Sequence, residues 1–498
     1  MNITTTTPIL VIGAGIMGTG IAQVAAQAGH PVFLFDVNPE APVQAKAKLG
    51  STFDTLVSKG KFTAEQATQV LERITPISGL EAAAESGLAV EAVVERLDVK
   101  RQLFQQLEGI VSPDCMLATN TSSISVTAIA NGLQHPERLV GMHFFNPVPL
   151  MKLVEVVSGL QTAKAVAEAT FALAKAWGKV PVHAKSTPGF IVNRIARPFY
   201  AETLALLQEQ AAQPVVLDAC LRAVGFRMGP CELMDLIGHD TNFSVTQSVY
   251  NANFQDKRFM PSLVQQELVD GGLLGRKSGQ GFYDYREGAV KPTLAEYVKP
   301  AHADLGTVTL VGSGPVAELL AKRLQQAGVD FGRDTAAVAT GLQLDDVCLY
   351  LTDGRPASAR GADVAVFDLP VKDEEGGVLA YAVAAQAATG VADKVEHVLR
   401  VLGFHPQALT DAPGLVVART LAMLINEAAD AVQQGVCDQA GADAAMKMGV
   451  NYPAGPFEWL QQWSVAEVVN LLDALDDYYR GERYRVSPWL RRQAGVGG

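Results

Sequence analysis

The apolar run Ile9–Ile12 passes straight into Gly13-x-Gly15-x-x-Gly18, and Asp36 stands twenty-three positions after Gly13. Strand, glycine turn, helix, strand and acid in this order constrain the fold more than any other feature. Gly13 permits the tight turn, Gly15 lets backbone approach a pyrophosphate, and Gly18 allows close helix–strand packing. Ile16 and Met17 complete the turn. An Ala/Gln-rich stretch, Thr19–Gly29, reads as the helix, and Val32–Asp36 as the second strand. Asp36 would accept hydrogen bonds from a ribose hydroxyl and repel a 2′-phosphate. NAD is therefore expected rather than NADP. The plainer alternative is a glycine turn that holds no ligand.

The alternation continues with a helix over Lys46–Lys61, a strand over Leu88–Val94, a helix over Asp98–Leu107, and strands over Met116–Thr119 and Val140–Phe144. This predicts a doubly wound, Rossmann-like α/β domain over 1–186. Thr187-Pro188-Gly189-Phe190 opens an all-α region over 187–285, and 286–305, with Pro292 and Pro300, reads as a linker. A second strand-turn-helix begins at Val308, so 306–405 reads as a reduced α/β segment and 406–498 as a further helical domain. Its glycine motif, Gly312-x-Gly314-x-x-Ala317, is weaker. The next candidate strand, Val347–Tyr350, lacks an acid at the right distance, and Pro315 removes a donor a phosphate could use. A structural role is expected for it.

The helical regions repeat. Pro188-Gly189-Phe190-Ile191-Val192-Asn193-Arg194 matches Pro413-Gly414-Leu415-Val416-Val417-Ala418-Arg419, and Met228-Gly229-Pro230-Cys231-Glu232 matches Ala454-Gly455-Pro456-Phe457-Glu458. The chain reads as a dehydrogenase-like unit followed by a reduced second copy.

At 498 residues, roughly 150 per domain suggests about three domains. A net charge of −12 with no basic stripe argues against nucleic acid, though not against an anionic ligand. The five cysteines are scattered and include no CxxC pair, which suits reduced thiols in the cytoplasm. No run of about 20 apolar residues suggests a membrane span. No metal-ligand spacing, Walker lysine or GxSxG elbow is present.

His143-Phe144-Phe145-Asn146-Pro147-Val148-Pro149 is followed by Leu153-Val154-Glu155-Val156-Val157, an apolar strand carrying one charge. A carboxylate in such a strand is costly without a partner, and His143 is the nearest plausible one. An imidazole held by a carboxylate moves protons near neutral pH. Taken singly, His143 reads better as a core histidine hydrogen-bonded to backbone, and Glu155 equally as a partner of Lys152; Asn146 and the charged strand reverse the balance for His143. Ser122 and Ser123 follow a strand at the carboxyl edge where such sheets bind ligands, although one of them could cap the next helix. Asn193, in an apolar helix start, needs partners that a ligand could supply.

Together, Gly13-Ala14-Gly15-Ile16-Met17-Gly18, Glu91-Ala92-Val93-Val94-Glu95, Asn120-Thr121-Ser122-Ser123, His143-Phe144-Phe145-Asn146-Pro147 and Thr187–Arg194 closely resemble the 3-hydroxyacyl-CoA dehydrogenase family over residues 8 to about 285. The repeated helical domain resembles its bacterial long form. The resemblance implies NAD-dependent oxidation of an L-3-hydroxyacyl-CoA, with 3-hydroxyadipyl-CoA of phenylacetate breakdown as substrate. The alternative is 3-hydroxybutyryl-CoA or a general fatty 3-hydroxyacyl-CoA. It further implies that His143 is the catalytic base and Glu155 its orienting carboxylate. Ser122, Asn146 and Asn193 would surround the reacting oxygen. Glu95, Lys100 and Asn120 would lie along the cofactor, and Lys59 or Lys61 near the CoA phosphates. Nothing in the second copy matches His143 or Glu155, and Ala418 replaces Asn193, so one active site per chain is expected. The helical copies would form a homodimer interface or pair internally as a pseudo-dimer. Competing readings are a dehydrogenase of free 3-hydroxy or sugar acids, and an NAD-binding protein without activity.

Overall fold

The computed structural model describes residues 3–301, 304–345 and 347–496. It comprises two compact units: Met1–Arg194 with Gln434–Val450, and Ile195–Gln433 with Asn451–Gly498. Residues 434–450 fall inside the stretch read from sequence as the second helical copy, yet they complete the first unit.

The first unit is built on β1 (Ile9–Ile12), β2 (Val32–Phe35), β3 (Ile74–Ile77), β4 (Leu88–Glu91), β5 (Met116–Thr119), β6 (Leu139–Phe144), β7 (Leu153–Ser158) and β8 (Val180–Lys185). Their order is β3-β2-β1-β4-β5-β6-β7-β8. Every neighbouring pair is parallel except β6 and β7. Strands β1, β4 and β5 are short apolar runs buried along their whole length, as a sheet covered on both faces requires. The chain order reverses between β1 and β4, which opens a crevice at their carboxyl ends.

Helix α1 (Ile16–Gln27) follows the glycine turn, and α2 (Ala41–Ser58) carries Pro42 in its first turn. The sequence reading started α2 five residues late and missed α3 (Ala64–Glu72), which a Thr63–Gln66 capping box opens. Helix α4 (Leu97–Glu108) follows β4 and buries Lys100, Phe104 and Leu107. The helix Gln439–Val450 lies on β7 and β8. It buries Ala442, Ala445 and Met446. A Cβ at Gly449 would come within 2.5 Å of the end of the Leu153 side chain, so the helix approaches β7 closely here. The Lys185 N–H donates to the Val436 carbonyl at 2.8 Å.

The second unit holds β9 (Val308–Val311), β10 (Gly332–Asp334), β11 (Gly341–Leu344), β12 (Val347–Leu351), β13 (Val364–Phe367), β14 (Gly377–Val383) and β15 (Phe404–Ala408). Their order is β10-β9-β11-β12-β13-β14-β15, with β11 antiparallel to both neighbours. The strand after the second glycine motif is therefore β10, not Val347–Tyr350. Val311 pairs with Asp334 as Ile12 pairs with Phe35, which puts Thr335 where Asp36 stands in the first sheet. The copy thus carries Thr335 at the ribose acid's position, sixteen residues before Leu351, the position the sequence reading pointed to.

The repeat is visible in the backbone. Gly189 and Phe190 have φ of 76° and 45°, and Gly414 and Leu415 have 72° and 50°. Gly229 and Gly455 both precede a proline that starts a helix. Within the second unit the helices Arg197–Gln208 and Val417–Gln433, one from each copy, pack together. Described residues of 286–305 contain no helix or strand. The five cysteines are unpaired, and no helix among the described residues is long and apolar enough to cross a membrane.

Candidate active site

At the carboxyl edge of the first sheet, Gly13 turns with φ 102°, and a Cβ on Gly18 would sit 1.7 Å from the Gly13 carbonyl oxygen. The helix must therefore carry glycine there. Gly15 is different: a Cβ would meet nothing within 4 Å, and φ is −72°. The space beside Gly15 and the uncapped first turn of α1, which carries no acidic residue, fit a pyrophosphate. Asp36 accepts the Ala14 N–H at 2.7 Å, which ties the acid to the glycine turn. Around this edge Ile16, Val37 and Val94 expose apolar side chains that suit the flat faces of a dinucleotide. The residues present fit NAD. Gly15→Ala should leave thermal unfolding unchanged and raise the Kd for NADH at least tenfold, as read by fluorescence titration; an unchanged Kd would show that nothing approaches Gly15.

Lys100 is buried, and its ammonium donates to both oxygens of Glu91 at 2.8 Å and meets Glu95 at 3.2 Å. It thus ties Glu91 to Glu95, the latter at the loop that carries Ser122. Glu91, also fully buried, escaped the site prediction. Glu95 accepts the Thr121 hydroxyl at 2.6 Å and the N–H groups of Ser122 and Ser123 at 3.0 and 3.2 Å. Burial opposes its charge, but Lys100 and these donors prevail and hold its carboxyl below the usual range. Glu95 thereby shapes the loop that carries Ser122. The side chain of Asn193 donates to the Ser122 carbonyl at 3.5 Å, which brings these two predicted residues together. Asn120 accepts the Phe144 N–H at 2.9 Å and fixes the end of β6. Asn146 is exposed in the loop beyond it, and Lys59 and Lys61 are exposed past the end of α2.

His143 and Glu155 face each other directly across β6 and β7. The imidazole is 6% exposed and the carboxylate not at all. Nδ1 lies 2.5 Å from Glu155 Oε2, while Oε1 accepts the N–H groups of Ile191 and Val192 at 2.9 and 3.0 Å. One buried carboxylate thus serves two tasks. It holds the imidazole with Nδ1 protonated, leaving Nε2 a free lone pair, and it caps the turn that leads to Asn193. Phe145 and Phe190 pack on the ring at 4.5 and 5.9 Å between centroids. Lys179, which sequence reasoning missed, donates to the carbonyls of Val148 and Met151 and pins the loop after Asn146. Burial pulls its ammonium down to about 8. No group of three or more His, Cys, Asp or Glu among the described residues could hold a metal ion.

Comparison with known proteins places this geometry. The 3-hydroxyacyl-CoA dehydrogenase NAD binding domain matches residues 8–187, and the C-terminal domain of the same family matches 189–285 and again 414–497. The chain belongs to the 3-hydroxyacyl-CoA dehydrogenase family. Residues 349–413 of this dehydrogenase match the reduced Rossmann-fold domain of 3-hydroxybutyryl-CoA dehydrogenase. It is 44% identical over 487 residues to the 3-hydroxyadipyl-CoA dehydrogenase of Escherichia coli K12, covering 98% of this chain and 97% of that one. A crystal structure of 3-hydroxybutyryl-CoA dehydrogenase from the same bacterium superposes with a TM-score of 0.88 at 42% identity, covering 99% and 98% of the two chains. The mitochondrial hydroxyacyl-coenzyme A dehydrogenase of Sus scrofa is 38% identical over 286 residues, 56% of this chain and 91% of that one. The dehydrogenase is an NAD-dependent oxidoreductase.

Strand register shows which residue of the second copy within this dehydrogenase stands where His143 stands in the first. Pro188 follows Val182 by six residues; Val182 pairs with Glu155, and Glu155 with His143. Pro413 follows Gln407 by six; Gln407 pairs with Ala380, whose carbonyl accepts the Asp368 N–H at 2.9 Å. Asp368 therefore occupies the imidazole's place and Ala380 that of Glu155. Asp368 accepts the N–H groups of Val416, Val417 and Ala418 at 2.9, 2.7 and 2.9 Å. The copy has kept the carboxylate cap by moving it one strand over, into the space the base would need. Burial pushes the Asp368 carboxyl up to about 6 against these bonds. Its folded state thus holds a proton more tightly than the unfolded chain does. Stability from this proton is present below the unfolded value near 4 and is lost as pH rises through 6. Relative to Asp368→Asn, wild type should gain about 2 kcal/mol in urea unfolding between pH 7.5 and pH 4.5; a constant difference would contradict the raised carboxyl.

Proposed function

We propose that this chain oxidises the hydroxyl of L-3-hydroxyadipyl-CoA to the 3-oxo ester. The 2.5 Å contact between His143 Nδ1 and Glu155, beside the cofactor edge, carries this reading. His143 Nε2 takes the hydroxyl proton as the C3 hydride departs. Bound NAD supplies the nicotinamide carbon that accepts that hydride. Glu155 keeps the imidazole in the right tautomer and balances the imidazolium. Ser122 and Asn193, joined at the Ser122 carbonyl, hold the substrate oxygen in line, and Asn146 supports it from the following loop. Glu95 acts by positioning Ser122. Lys59 and Lys61, exposed and without an ion-pair partner among the described residues, meet the CoA phosphates.

The relative named for 3-hydroxyadipyl-CoA matches over nearly its whole length, which favours the dicarboxylic ester over 3-hydroxybutyryl-CoA. Consumption of NADH with acetoacetyl-CoA but not with acetoacetate is expected. Turnover of the free acid would favour a 3-hydroxyacid dehydrogenase, and no consumption with any 3-oxoacyl-CoA would remove the activity. The unpaired cysteines suit a reducing cytoplasm. The pairing of the two helical copies within one chain suits a pseudo-dimer, which sedimentation would test.

A further inference from the structure

Arg197 begins the helix Arg197–Gln208 in the second unit and is only 5% exposed. A buried guanidinium normally sits against a carboxylate. This one does not. Its Nη1 donates to the Thr246 hydroxyl at 3.1 Å, and its Nε is buried without a partner. The groups acting on its charge are two tyrosines, Tyr200 and Tyr452, with no acid among them. Its helix carries no capping side chain and no acid in its first turn, so the positive end of the helix is also uncompensated.

Arg197 lines a cavity of about 310 Å³. Leu204, Phe259 and Pro261 give the cavity an apolar wall. The other two arginines in its lining are already satisfied: Arg419 and Arg483 bind Glu202 at 2.7 and 2.9 Å. Glu209, the one acid in the lining, is taken by the Tyr479 hydroxyl and Arg419, which leaves Arg197 a cation in the wall with no carboxylate bound to it among the described residues.

We propose that this cavity binds a carboxylate on a short aliphatic stem, with the Arg197 guanidinium gripping the oxygens and the apolar wall taking the stem. A planar guanidinium matches a carboxylate in two-point fashion, and the methylenes need only apolar cover. Two molecules present that group. One is the far end of a dicarboxylic acyl-CoA, a source that rests on the function proposed above. The other is a free aliphatic dicarboxylate, which does not depend on that function.

Wild type and Arg197→Met decide between these. Because the variant removes an unpaired buried charge, it should unfold at the same temperature as wild type or higher; a purely structural arginine would lower it. If the acyl end is the ligand, the ratio of kcat/KM for 3-hydroxyadipyl-CoA over 3-hydroxybutyryl-CoA falls about 10- to 100-fold in the variant. If a free dicarboxylate is the ligand, calorimetric binding of adipate to wild type disappears in the variant while the ratio holds. An unchanged ratio together with no difference in adipate binding overturns the proposal. Should Arg197→Met fail to fold, Arg197→Lys carries the same two measurements, because lysine lacks the planar fork. No turnover of either ester would sink the proposed function alone and leave adipate calorimetry to judge the cavity.

Discussion

His143→Gln should bind NADH as tightly as wild type and turn over acetoacetyl-CoA about 10²–10⁴-fold more slowly, the usual loss for a positioned general base. Glutamine approximates the imidazole's size and still donates toward Glu155, so the cap on Ile191 and Val192 survives. The change therefore isolates the basic Nε2. Near-normal turnover would remove His143 from proton transfer. Glu155→Gln is the informative companion. Its amide has one acceptor oxygen where the carboxylate has two, yet the imidazole and two backbone donors all need accepting. It should lose both rate and stability, whereas His143→Gln should lose chiefly rate. Equal stability of the two variants would show that Glu155 does not hold the turn before Asn193.

Glu202→Leu should cost the second unit about 3–5 kcal/mol, the range for stripping one partner from a buried ion cluster. Glu202 is fully buried and receives Arg419 at 2.7 Å, Arg483 at 2.9 Å and the Tyr484 hydroxyl at 3.0 Å. Burial alone would raise its carboxyl; Arg483 and Arg419 overrule burial and hold it below the usual range. Removing it leaves two guanidinium groups with too little counter-charge, since Glu209 reaches only Arg419, at 3.4 Å. Three of the four tryptophans, Trp459, Trp463 and Trp489, lie in this unit, so tryptophan fluorescence during urea unfolding reports on it. Replacing Glu202, Arg419 and Arg483 together by leucine and methionines should recover most of the loss. A single substitution costing under 1 kcal/mol would mean the cluster does not join the two helical copies.

What could be read from sequence were features whose cause is local. The glycine turn with Asp36 is local chemistry, and the burial of a lone charge in Leu153–Val157 required a partner that the facing strand supplied. The tie from Lys100 to Glu91 was hidden because a matching motif says which residue recurs, not which carboxylates hold its charge. Asp368 was hidden because aspartate resembles neither histidine nor glutamate; only strand register reveals that it fills one's place and does the other's capping work. β11 escaped because Gly341–Leu344 is four residues long and pairs antiparallel where the first sheet has no such strand. Residues 434–450 look like ordinary members of the repeat, and nothing in their composition says which sheet they cover.

That last feature bears on how the protein is made. The ribosome releases β7 and β8 more than 250 residues before the helix that covers them, Gln439–Val450. Throughout that interval the nascent amino-terminal half has a bare apolar flank. Its completion waits on nearly the last tenth of synthesis, and any premature stop before Gly449 leaves the catalytic half with its outer strands unroofed.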